Sequence, residues 1–145
     1  MIRHEFEDFW REPNKCVTDD IIFRLSVGYG AVYSFDDIPV ICQSDMELAV
    51  HGSYSCLTRA MSYNFTIKGV GPITRYCAGG PEHHDSGRYH HHLLRHESDP
   101  RQNLPYAEAR PTLEGMSALE IWKLICIEGN ISHTGTFYEP EVMCQ

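Results

Sequence analysis

From Met61 to Lys68 the chain alternates without a break, with Met61, Tyr63, Phe65 and Ile67 apolar and Ser62, Asn64, Thr66 and Lys68 polar. Side chains on a strand point to opposite faces in turn, so this octet predicts a strand with one buried face. Such a strand needs a sheet around it and a layer over it. The neighbouring segments extend the sheet: Glu47 to Thr58 is rich in strand formers, and Gly69-Val70-Gly71-Pro72 turns the chain into a further strand at Ile73 to Cys77. Connections this short cannot hold a parallel crossover, which leaves an antiparallel meander. Upstream, Phe23, Leu25 and Val27 alternate with Arg24 and Ser26. Gly28-Tyr29-Gly30 interrupts them, Val32 to Phe35 resumes the pattern, and Asp36-Asp37-Ile38-Pro39 reads as a turn.

The covering layer has to come from helices. Ile2, Phe6, Phe9 and Trp10 fall on one face of a short N-terminal helix that Pro13 and Asn14 stop. Ser117-Ala118-Leu119-Glu120 matches a capping box, Met116, Leu119, Trp122, Ile125 and Cys126 lie near helical spacing, and Gly129 ends the run. Trp122 sits on the apolar face and reads as core. With Thr112 as an earlier start, the helix runs near 113–128. Ile131 to Tyr138 adds a last short strand, and the acidic end reads as loose. The prediction is one α+β domain over 1–145, an antiparallel sheet of five to seven strands with the C-terminal helix packed on one face. At 145 residues and 42% apolar content, the chain has room for one sizeable core.

Composition narrows the partners. Twelve basic and 20 acidic residues give a formal charge of -8, so any contact with nucleic acid has to be local rather than a property of the whole surface. The absence of a signal-like start and of an apolar run near the ~20 residues that span a bilayer predicts a cytoplasmic protein with no membrane contact. The six cysteines, Cys16, Cys42, Cys56, Cys77, Cys126 and Cys144, show no C-x-x-C spacing and read mainly as buried free thiols. On that reading the glycosylation-like triplets at Asn64 and Asn130 are chance matches. Arg95 to Arg110, punctuated by Pro100 and Pro105, reads as a long surface connection. Its Ser98–Arg110 part is either a lid or a passive link.

Chemistry concentrates between Arg75 and His92, where His83, His84, His90, His91 and His92 gather out of nine histidines in the chain. If 88–94 is extended, His90 and His92 project from one face and Tyr89, His91 and Leu93 from the other. Two imidazoles so placed can converge on one ion at ~2.0–2.1 Å, with a third ligand from His83, His84, Asp85 or Cys77. The candidate metal ligands are therefore His83, His84, His90 and His92, and the ion a divalent transition metal such as zinc or manganese. A metal-free reading uses the same residues as acid and base: His84, His90 and His92 act with Arg88 and Tyr89, while Arg75 and Tyr76 contact the substrate. His91, on the opposite face, reads as packing. His96 and His133 are isolated, and a plain solvated loop is the bland rival to both chemical readings.

Arg75-Tyr76, His83-His84, His90-His91-His92 and Thr112-Leu113-Glu114 follow one another in an order that resembles small, poorly characterised bacterial toxin components of toxin-antitoxin pairs. In that pattern a strand-rich half runs into an Arg-Tyr strand end, then a His, then a clustered His-x-His, then a helix. The resemblance covers Met46 to Gly129, and Cys77 stands where the pattern has an acidic residue, with Glu82 or Asp85 as its replacement. It implies a growth inhibitor acting on RNA and a cognate antitoxin protein as partner. The expected function is thus a toxin-like hydrolase, specifically a nuclease working through the histidine cluster. The alternative is a non-enzymatic metal-binding or protein-interaction module.

Overall fold

The alternating octet forms the centre of the sheet. A computed structural model describes residues 3–26, 30–80, 87–94 and 104–144. In it the strands are β1 (Lys15–Val17), β2 (Arg24–Leu25), β3 (Val32–Val40), β4 (Leu48–Ser55), β5 (Met61–Ile67), β6 (Gly71–Ala78), β7 (Tyr89–Leu93), β8 (Ala107–Ala109) and β9 (Ile131–His133). The helices are α1 (Arg3–Arg11) and α2 (Ala118–Glu128). Strands β2 to β8 pair in chain order as a seven-stranded antiparallel meander, as the short connections require. Strands β1 and β9 make a separate parallel pair. The fold is α+β, with both helices on the same face of the sheet.

That face is set by the pleat. Phe35, Gly52, Tyr63, Tyr76 and His91 stand opposite one another from β3 to β7, and Leu48, Val50, Phe65 and Ile67 extend the same side. Gly52 is required in this row, because a Cβ there would collide with the Phe35 ring. From above, Trp122 of α2 stacks on Phe65 at 6.4 Å and tilts over Tyr63 at 5.7 Å, while Trp10 of α1 meets the Phe65 edge at 5.1 Å. Helix α2 carries the expected capping box, Ser117 accepting from Glu120 N–H and Glu120 accepting from Ser117 N–H. It begins at Ala118 rather than near 113, since Gly115 at φ 81° breaks the chain from the 3-10 turn Pro111–Leu113 before it.

Several expectations are corrected. Asp36 to Pro39 is not a turn: β3 runs through it, absorbing one extra residue as a bulge with Asp37 at φ 52°. The segment before Arg110 contains the edge strand β8, paired to β7. Strand β9 joins β1 instead of the main sheet. The acidic end is anchored: Pro140–Met143 forms a 3-10 turn, Glu141 Oε2 accepts from Ala118 N–H at the start of α2, and Cys144 is disulfide-bonded to Cys56. The remaining four cysteines are free but only partly buried. Lys15 was not anticipated as core. It is wholly buried, with its ammonium donating to the carbonyls of Phe9, Trp10 and Glu12 at the end of α1, where a cation satisfies the last-turn acceptors.

Candidate metal centre

The opposite face of the sheet carries no helix among the described residues, and most of its side chains are polar. Two cross-strand rows run over it. One passes through Ser34, Ser53, Ser62, Cys77 and His90, the other through His51, Asn64, Arg75 and His92. Hydroxyls join along the first row, with Ser53 Oγ 3.0 Å from Ser62 Oγ and Ser34 Oγ 2.7 Å from Ser26 Oγ. The expected alternation of β7 therefore holds, and its neighbour β6 supplies what the sequence left open. Cys77 lies directly across from His90, and Arg75 across from His92.

One ligand atom from each of Cys77, His90 and His92 lies within 4.8 Å of the others. A tetrahedral ion with bonds of ~2.0–2.3 Å sets its ligands ~3.5 Å apart, so small side-chain rotations close this group around a metal. Both imidazoles are oriented by backbone. His90 Nδ1 donates to Gly87 O at 3.0 Å and His92 Nδ1 donates to Leu104 O at 2.9 Å. That leaves Nε2 as the lone-pair nitrogen of each ring, the arrangement in which a carbonyl fixes the tautomer of a ligating histidine. The rings stand nearly perpendicular, 4.7 Å between centroids. Both histidines are buried, at 1% and 2% exposure. Burial pushes the Cys77 thiol above its usual range, and the adjoining Arg75 guanidinium pulls it partly back. Arg75 Nη2 also donates to His92 Nε2 at 3.1 Å. The group can hold a metal ion.

A cavity of about 400 Å³ opens beside this group, walled by Ser53, Ser55, Ser62 and Arg75 together with Cys77 and His90. The other proposed residues lie elsewhere. Tyr76 and Tyr89 point to the helix-covered side. The Tyr76 ring stacks on His91 at 3.8 Å, and its hydroxyl donates to Glu128 Oε1 at 2.7 Å. Arg88 donates to the carbonyls of Gly79 and Gly80. His83, His84, Glu82 and Asp85 fall outside the described residues. His91 is packing, as its face predicts: Thr74 Oγ1 bonds its Nε2, and burial, then Arg110 and His92, hold its pKa down to about 3. His133 is tied into the core by Trp122 Nε1 and Asp19 O.

The structure thus brings together His90, His92 and Arg75 and, of the candidate third ligands, places Cys77 beside them. The signal for Cys77 was present in the hairpin. Once Ile73–Cys77 and 88–94 are read as adjacent antiparallel strands, only their register separates Cys77 from His90. Comparison with protein-family models, with characterised proteins and with solved structures finds no match to this chain.

Proposed function

We propose that the chain is a metal-dependent hydrolase whose ion is held by Cys77, His90 and His92. The observation that carries this reading is the convergence of the three ligand atoms within 4.8 Å at the edge of a cavity. One thiolate and two imidazoles form a borderline-soft donor set, which favours zinc over manganese. Three protein ligands leave a fourth position, and a zinc ion so held lowers the pKa of its water to about 7. The chain's own part is to orient and to bind. The Gly87 and Leu104 carbonyls fix the imidazoles, the Cys77 thiol would bind the ion as a thiolate, and Arg75, which lines the cavity, would hold a negatively charged substrate. Hydrolysis adds the water oxygen to the phosphorus or acyl carbon of an ester; the bond to the leaving oxygen breaks, and that oxygen takes up a proton from water.

The nuclease reading is the case in which this ester is a phosphodiester of RNA, and on the toxin reading an antitoxin covers the open polar face. Arg75 supports the first. Tyr76 and Tyr89, the tyrosines it would use, lie on the other side of the sheet and contribute nothing to it. A non-enzymatic metal protein is the second reading, favoured by the depth at which His90 and His92 are buried.

Elemental analysis of untagged protein tests the proposal. About one equivalent of zinc is expected, lost in His90→Ala/His92→Ala and in Cys77→Ala, with affinity rising with pH because the thiol must deprotonate. Wild-type protein without metal after zinc loading would overturn it. Bound zinc with no chelator-sensitive turnover of phosphate or carboxylate esters would select the non-enzymatic reading.

A further inference from the structure

Resting on the metal-centre reading, we infer that the cavity beside Cys77 and His90 is a subsite for a small, hydroxyl-bearing anion, a phosphate or carboxylate on a compact polar molecule, rather than for a nucleic-acid strand. Three features of the cavity carry this. Its charge is one-signed: Arg75 is the cation, and no carboxylate lines it among the described residues. With an ion at Cys77, His90 and His92 the local charge is more positive still, so an anion gains from both neighbours. Its hydrogen-bonding groups are the hydroxyls of Ser53, Ser55 and Ser62, each of which can donate or accept, and this matches a ligand that carries hydroxyls as well as charge.

Its walls also exclude a strand of RNA. Sequence-tolerant binding of single strands uses aromatic platforms under successive bases, and the described lining has no Phe, Tyr or Trp; its one ring is His90, which the metal would hold, and its apolar part is Val32, Ala60 and Met61. At about 400 Å³ the cavity is near the small end of ligand pockets, which span ~300–1,000 Å³. The molecule's charge of -8 works in the same direction. A polyphosphate spreads across the surface and meets that net repulsion, whereas a single small anion meets only the local field of Arg75 and the ion.

Cobalt(II)-loaded protein provides the test, because its thiolate charge-transfer and ligand-field absorption report the metal and its open position separately. The probes are inorganic phosphate, acetate and a ten-residue oligouridylate. Phosphate or acetate, or both, should shift the ligand-field bands, and the stronger of the two identifies the anion. Arg75→Gln should weaken that shift by ~10- to 100-fold, the worth of a charge-assisted hydrogen bond. Ser53→Val, which replaces a lining hydroxyl with a methyl group and removes no metal ligand, should weaken it too while leaving one equivalent of cobalt bound. If the oligouridylate shifts the bands at lower concentration than either small anion, the inference is overturned in favour of a strand-binding site. Cobalt bound with its thiolate band but unmoved by either anion overturns the subsite alone. Absence of the thiolate band overturns the metal reading on which it rests.

Discussion

Stacked on Tyr76 and shielded from water, His91 refuses a proton that the unfolded chain would take up. Its pKa in the fold is about 3 against an ordinary 6.5, with burial the first cause. The linkage has one sign. Above pH 6.5 neither state is protonated and the stability is fully present. Between 6.5 and 3 only the unfolded state gains the proton, and stability falls by ~1.4 kcal/mol per pH unit; below 3 the loss levels off. Urea midpoints measured in chelator across this range should fall in wild type and fall less steeply in His91→Phe, which keeps the stacked ring and removes the titrating nitrogen. Equal slopes in the two proteins would place the acid sensitivity elsewhere. Arg110 and His92 reinforce the effect, since both disfavour a second positive charge nearby.

At the scale of elements, one carboxylate ties the C-terminal end of α2 to the sheet. Glu128 accepts from Arg110 Nη1 and Nη2 at 3.1 and 2.6 Å and from the Tyr76 hydroxyl at 2.7 Å. Burial and the Glu128 charge hold the Tyr76 phenol well above its usual range, so it remains a donor. Glu128→Ala should cost ~1–3 kcal/mol, allowing for the partial exposure of the pair, because it strands Arg110 without its partner. Glu128→Leu/Arg110→Met together should cost less than Glu128→Ala alone. Denaturation curves of the two variants beside wild type decide it.

None of that fastening is legible in the sequence, because residues 76, 110 and 128 meet only after the strands and α2 are in place. What could be read was periodicity. Met61–Ile67 has one side in the core and one out, and each residue type reports its side. Three-residue β8, Ala107–Ala109, has too few positions to show a period and is a strand because β7 offers it a partner. Asp36 to Pro39 is made of turn residues, yet pairing with β4 on both sides carries the strand through. The site divides in the same way. Alternation put His90 and His92 together, register added Cys77, and nearness in sequence misled for Tyr76 and Tyr89, which face the other way.

For the molecule as a whole, the bond between Cys56 and Cys144 spans 88 residues and removes much of the freedom of the unfolded chain. Reduction, or Cys56→Ser/Cys144→Ser, should lower stability by ~2–5 kcal/mol, seen as a lower thermal midpoint in dithiothreitol. Metal binding should persist, since none of the three ligands lies in the tethered tail. An unchanged midpoint would mean that the covalent tether contributes nothing to holding the fold.

The order of the sheet also bears on how the chain finds its structure. Each strand from β3 to β8 pairs with its immediate predecessor, so most native contacts across the sheet form between segments close in the chain, and each hairpin that closes presents a template for the next. The parallel pair β1 and β9 joins nearly opposite ends of the polypeptide and closes a loop that takes in most of the chain. The entropy of that closure, and the speed that local pairing confers on the rest, place it late along the folding route. Substitutions in β1, such as Val17→Ala, then act mainly on the rate at which the finished protein comes apart.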